Sequence, residues 1–159
     1  MIRFNDNVVC QDEAPSTETD PDAALHRRDF QKILKACKGL VNVFDPEHAD
    51  HLARGILSNL RDDCRAVWLS YAPEDRSLRL TVKLPNARPL SQAQFLMVMR
   101  LQALTRLARF CLDDRRDGLM LEAVSICSEP GKARQVLVPM SESLKQVLQD
   151  DRLKAIIGS

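Results

Sequence analysis

A chain of 159 residues with 23 basic and 22 acidic side chains carries a formal net charge of +1. That length suits one domain with a short appendage, and the charge balance excludes a global attraction to nucleic acid or to an anionic membrane surface. Hydrophobic residues make up 45% but aromatics only 4%, so the core has to rest on Leu, Val, Ile and Met.

Residues 2–4 and 8–10 have the composition of a short edge strand. Residues 11–20 (QDEAPSTETD) are acidic, rich in Ser and Thr, and interrupted by Pro15. Such a stretch buries too little apolar surface to offset the entropy of ordering it. Residues 1–20 therefore read as a mostly disordered N-terminal segment, and residues 21–159 as a single α+β domain.

Asp20 followed by Pro21 is a helix-start signal, an N-cap with proline in the first turn. Leu25, Phe30, Ile33, Leu34 and Cys37 continue it as an apolar stripe, and Gly39 supplies the stop. Asp45–Pro46 repeats the start. Ala49, Leu52, Ala53, Ile56, Leu57 and Leu60 then fall on one helical face, which predicts a second helix to residue 60.

The next elements alternate. Residues 66–71 are strand-like and 72–76 make a loop. Leu78, Leu80, Val82 and Leu84 then point inward, with Arg79, Thr81 and Lys83 outward. Pro85 and Pro89 end that hairpin, and Ser91 with Gln94 forms a capping box. The helix it opens, predicted over 92–112, is apolar on all but a narrow stripe. A surface helix needs an apolar stripe only about 100° wide, so this one calls for cover on two sides. The sheet supplies one cover; the N-terminal helices, a second subunit or a partner segment supplies the other.

Residues 113–118 form a polar turn, 119–127 a strand, 128–132 a turn and 135–138 its partner strand, ended by Pro139. Ser141 caps a last helix with Leu144, Val147, Leu148, Leu153, Ile156 and Ile157 as its apolar positions. The expected fold is a two-layer sandwich. An antiparallel sheet of two β-hairpins packs on a long apolar helix, in the order α-α-β-β-α-β-β-α.

The candidate chemistry is sparse. His48 and His51 stand three apart beside Asp45, Glu47 and Asp50, a spacing able to place two imidazoles on one face. No third ligand or H-E-x-x-H accompanies them, and a polar first turn whose acids suit the helix dipole explains them. Asp113, Asp114, Asp117 and Glu122 surround a turn, but Arg115 occupies a position where a calcium loop needs a ligand. Arg27–Arg28, Arg61 with Arg65, and Arg115–Arg116 are dispersed basic pairs without an aromatic stacking platform. There is no G-x-S-x-G and no Gly-rich phosphate loop. Cys10, Cys37, Cys64, Cys111 and Cys127 are odd in number and widely spaced, and read as free thiols in a reducing cytoplasm. Residues 1–10 lack a signal-peptide pattern. Arg100, Gln102, Arg106 and Arg109 interrupt the one run that approaches the roughly 20 residues of a membrane span. These features predict no catalytic residue, no cofactor and no metal, and neither nucleic acid nor membrane as partner.

What remains is surplus apolar surface. Met97, Met99, Met120 and Met140 gather in the long helix and second hairpin, where methionine fills a core or lines an adaptable groove. The candidate partner-binding or dimer residues are Phe95, Met97, Met99, Leu101, Leu104, Met120, Val124 and Trp68.

The order helix, hairpin, long helix, hairpin, helix resembles the type III secretion chaperones and the bacterial chaperone-like family sharing their fold. The local likeness is densest at LARFCLDDRRDGLMLEA, residues 107–123, where a helix end runs into an acidic, Gly-containing turn and then an apolar strand. The resemblance covers about residues 46–157. It implies a cytoplasmic homodimer that holds an extended segment of a partner protein across apolar patches without ATP hydrolysis. The alternative function is a secreted or phage-type effector or inhibitor acting by protein–protein contact, with residues 1–20 as signal or docking arm.

Overall fold

The computed structural model describes residues 21–60, 65–84, 89–113 and 118–157. The edge strand and disordered segment expected within residues 1–20, and most of the acidic turn at 113–118, lie outside these. The fold class is as expected: an α+β two-layer sandwich with an antiparallel sheet. Its element order differs in four places. One is the last helix: the single helix expected to start at Ser141 is two, Ala133–Leu148 and Asp151–Ile157, and Ser141 is buried within the first, donating to Val138 O at 3.0 Å. The chain runs α1 (Pro21–Ala36), β1 (Val41–Phe44), β2 (Leu52–Leu57), β3 (Ala66–Ala72), β4 (Ser77–Lys83), α2 (Gln92–Leu104), β5 (Ala108–Asp113), β6 (Gly118–Ile126), α3 (Ala133–Leu148) and α4 (Asp151–Ile157). The strands form one six-stranded sheet in the order β1-β2-β3-β4-β6-β5, every neighbouring pair antiparallel.

α1 begins and ends where its signals place it. Gly39 (φ +79°) takes the left-handed conformation that stops it. The Arg134 guanidinium donates to the carbonyl of α1's last residue, Ala36 O at 3.2 Å, and to Lys38 O in the turn after it at 2.7 Å. Phe30, Ile33 and Leu34 bury its inner stripe.

The helix expected over 45–60 is the first correction. Asp45 sits in the left-handed region (φ 47°) without a side-chain cap, and Pro46–His48 makes only a single 3-10 turn. The chain then extends into β2, burying Ala53, Gly55 and Leu57 at the period of a strand. Gly55 decides the matter. A Cβ there would meet Val41 Cγ1 at 2.6 Å and the Asn42 carbonyl oxygen at 2.9 Å, so β1 approaches closely because residue 55 has no side chain.

The second correction concerns residues 92–112. The capping box forms as expected: Ser91 Oγ accepts from Gln94 N at 3.2 Å, and Gln94 Oε1 accepts from Ser91 N at 2.9 Å. The helix ends at Leu104, however, and residues 108–113 are the edge strand β5, paired with β6 from Ala108↔Ala123 to Asp113↔Gly118. The apolar run was two elements, a helix and an alternating strand. The third correction follows from it. With β5 partnering β6, residues 135–138 are not a strand but the start of α3, which carries Pro139 on its exposed side. Ala133, Leu137, Met140, Ser141, Leu144, Val147 and Leu148 fall on one face of that helix and are buried.

Inward residues of the strands line up in rows across the sheet. Ala53, Leu69, Leu80, Ala123 and Ala108 form one; Gly55, Val67, Val82, Leu121 and Phe110 form the next. Small residues on β6 and β5 let α3 pack against these strands. α1 packs on α3, and α2 packs on α4 and β5. Each large side chain buried here contributes roughly 1.5–3 kcal/mol over leaving it in water.

Candidate protein-binding surfaces

Two surfaces hold the residues singled out from the sequence. Phe95, Met97, Met99, Leu101 and Leu104 all lie on α2, whereas Trp68, Met120 and Val124 lie on the sheet face turned away from the helices. The structure therefore splits them into two groups.

On α2 only Val98 and Leu101 are buried. Leu101, 3% exposed, belongs to the core. Phe95 is 50% exposed, Leu96 52%, Met99 53% and Leu104 64%, while Met97 is half-buried toward α4. Across its thirteen residues the helix carries a single charge, Arg100. Isolated exposed apolar residues are ordinary; here Phe95, Leu96 and Met99 lie within about 100° of one another on the helix, with Leu104 at its C-terminal end on another side. Residues 21–36 make their main contacts with α3 and the turn before it.

Where α2 meets the sheet it seals an edge. Gln102 Oε1 accepts the Phe110 N–H at 2.6 Å, and Gln102 Nε2 donates to Ala108 O at 3.3 Å. Thr105 Oγ1 donates to the same carbonyl, and the Ala108 N–H donates to Ser143 Oγ at 3.1 Å. Side chains of α2 and α3 thus stand where another strand would add to β5, one of the ways proteins protect an edge from pairing. Nothing in the sequence announced this role for Gln102, because it depends on β5 being a strand. At the opposite end of the sheet, β1 has β2 as its one strand neighbour among the described residues.

The open sheet face runs across all six strands. One row across it reads Phe44, Arg54, Trp68, Thr81, Glu122 and Arg109. The Arg54 guanidinium lies over the Trp68 ring, 5.5 Å from its centroid. Glu122 is buried although it points to this face, its side chain 8% exposed. Arg109 grips it through two nitrogens, Nε at 2.7 Å and Nη2 at 2.5 Å from Oε1. Arg79 Nε stands 3.6 Å from its other oxygen. Bonding to that carboxylate raises the Arg109 pKa above its ordinary value. Cys111, on the same face, has its thiol pKa raised by burial and then by Glu122. Phe44, Leu52 and Ile126 add exposed apolar surface around this cluster.

A cavity of about 620 Å³ lies between the first turns of α1 and the β3–β4 turn. Ala24, Tyr71 and Pro73 are among its walls, with His26, His51 and the Arg27–Asp50 ion pair at its rim. His48 sits in the 3-10 turn and His51 in the segment before β2, both exposed, so the shared helical face proposed for them does not exist. Among the described residues no group of three His, Cys, Asp or Glu side chains is placed to hold a metal ion. Cys37, Cys111 and Cys127 are free thiols; Cys10 and Cys64 lie outside the described residues. Burial pushes the Cys37 thiol up to about 12, against the opposing pull of Arg134. No helix among the described residues is long and apolar enough to cross a membrane.

No protein-family model matches the chain, and no curated protein matches it in sequence. Among solved structures, one chain in the structure of the HopA1–SchA chaperone–effector complex is similar in fold. The TM-score is 0.51 at 14% sequence identity, and the match covers 89% of this chain and 99% of that chain. The likeness is one of fold, and it extends over almost the whole of both chains.

Proposed function

We propose that this chain is a non-enzymatic protein-binding module of secretion-chaperone type. It pairs with a second copy through α2 and holds a segment of a partner protein on the open sheet face. The observation that carries this reading is α2 itself: Phe95, Leu96, Met99 and Leu104 are each half or more exposed on a helix with one charge. A twofold contact sets the same patch against itself, so a helix whose one charge is Arg100 limits like-charge repulsion across it. The fold shared with a chain of a chaperone–effector complex supports the same class of function.

Dynamic light scattering of Leu96→Glu/Met99→Glu tests the pairing. Each side chain has about half its surface left to bury, worth roughly 1 kcal/mol. A symmetric pair carries each change twice, so the loss is roughly 4 kcal/mol and the dimer constant falls about a thousandfold. The variant should run as a folded monomer at concentrations where the native chain is a dimer. Unchanged particle size would remove α2 from the contact.

A further inference from the structure

The open sheet face has one charge sign in excess. Its strands present Arg54, Arg79, Lys83 and Arg109, and among their described side chains the single carboxylate is Glu122. That carboxylate lies beneath two arginines, whose own side chains remain 48% and 55% exposed. The guanidinium groups are therefore anchored from below and still present donors outward, since each carries five N–H bonds. Arginine held in this way loses less conformational freedom when it binds a second carboxylate. Apolar contact area adjoins the cations: Trp68 beside Arg54, then Phe44, Leu52, Val124 and Met120.

We propose that this face binds an acidic, extended segment of a partner protein. Its apolar side chains lie against Trp68 and its neighbours, and its carboxylates meet Arg79, Lys83 and Arg109. The inference rests on the reading of the open face as a segment-binding surface and adds the chemistry of the segment. Complementary charge of this kind selects the partner and speeds encounter more than it adds affinity.

The test uses the full chain, whose single tryptophan is Trp68, so its fluorescence reports this face. The probe is a synthetic peptide repeating Glu-Glu-Leu-Leu, which puts both residue types on each side of an extended chain. Its counterparts are the same peptide with lysine for glutamate and a single-stranded oligouridylate. The acidic peptide should shift Trp68 emission saturably, and its binding should weaken between about 50 and 300 mM salt. Affinity should fall about tenfold or more in Arg79→Gln/Lys83→Gln, which keeps the Arg109–Glu122 pair and removes two exposed cations. A lysine peptide bound as tightly, or an unaltered affinity in the double variant, would overturn the acidic preference while leaving the face a segment-binding surface. Tighter binding of oligouridylate would replace a protein segment by nucleic acid. Silence of Trp68 toward both peptides would overturn this inference and the segment-binding role of the face together, leaving the α2 pairing to its own test.

Discussion

Replacing Gly55 by alanine separates the two ways of folding residues 45–60, because the change has opposite signs in them. In a helix interior, glycine is about 1 kcal/mol less favourable than alanine, so Gly55→Ala would stabilise. In the observed strand the new Cβ meets Val41 Cγ1 at 2.6 Å, Asn42 O at 2.9 Å and Asn42 C at 3.3 Å. Two of those three atoms are backbone and cannot rotate away. β1 must shift off β2, and overpacking of this kind costs about 1–3 kcal/mol. The restricted unfolded chain returns about 0.4–1 kcal/mol of that, leaving a net loss of up to about 2.6 kcal/mol. At about 2–4 °C per kcal/mol for a domain this size, Tm should fall, by up to roughly 10 °C. Thermal unfolding followed by circular dichroism measures the shift. Hydrogen exchange should place the loosening at Val41–Phe44. A Tm that rises, or exchange that quickens elsewhere and not in β1, would refute the close β1–β2 approach.

Three further outcomes check the site. Gln102→Ala removes the side chain that meets Ala108 O and Phe110 N; it should cost about 1–3 kcal/mol, and the Phe110 amide should exchange faster, whereas unchanged protection there would contradict the sealed edge. Among Cys37, Cys111 and Cys127, iodoacetamide should label Cys111, the one of the three that is not buried, first, and peptide mapping that found Cys37 labelled as fast would contradict a buried thiol with a pKa pushed up to about 12. Asp150 caps α4 by accepting the Arg152 N–H, and the Arg152 side chain holds its carboxyl below the ordinary carboxylate range. A depressed carboxyl stabilises fully above its unfolded pKa of about 3.9 and loses that stabilisation as pH falls through the folded value. The Tm gap between the native chain and Asp150→Asn should therefore be present at neutral pH and close on acidification; a gap independent of pH would refute the charge effect.

Local signals carried the sequence reading wherever one period stood alone. Leu78, Leu80 and Val82 alternate against Arg79, Thr81 and Lys83, and β4 lies there. Ser91 and Gln94 cap α2 reciprocally as their spacing requires. The reading failed where an apolar set fits two periods. Ala53 and Leu57 serve a helix face and a strand face equally, and the arbiter, contact between Gly55 and β1, is tertiary. In residues 92–112 the alternation of Ala108, Phe110 and Leu112 with Arg109, Cys111 and Asp113 was hidden inside a continuous apolar run. Missing β5 also moved the second hairpin to residues 135–138, and it hid the Arg109–Glu122 pair and the Gln102 seal, which exist only across the β5–β6 ladder and its edge. The apolar excess of α2 was legible because it needed no partner to be seen, only more apolar residues than one neighbour can cover.

The pairing of two chains through α2 is tested most directly by the oxidation of Met99. Methionine converts to its sulfoxide at a rate that follows its exposure, and Met99 is 53% exposed on the single chain. Peroxide treatment across a wide range of protein concentration, read by peptide mass spectrometry, should slow at Met99 as concentration rises, with Met140, which is fully buried, slow throughout. A Met99 oxidation rate independent of concentration, in a chain that scatters light as a monomer, would contradict the pairing.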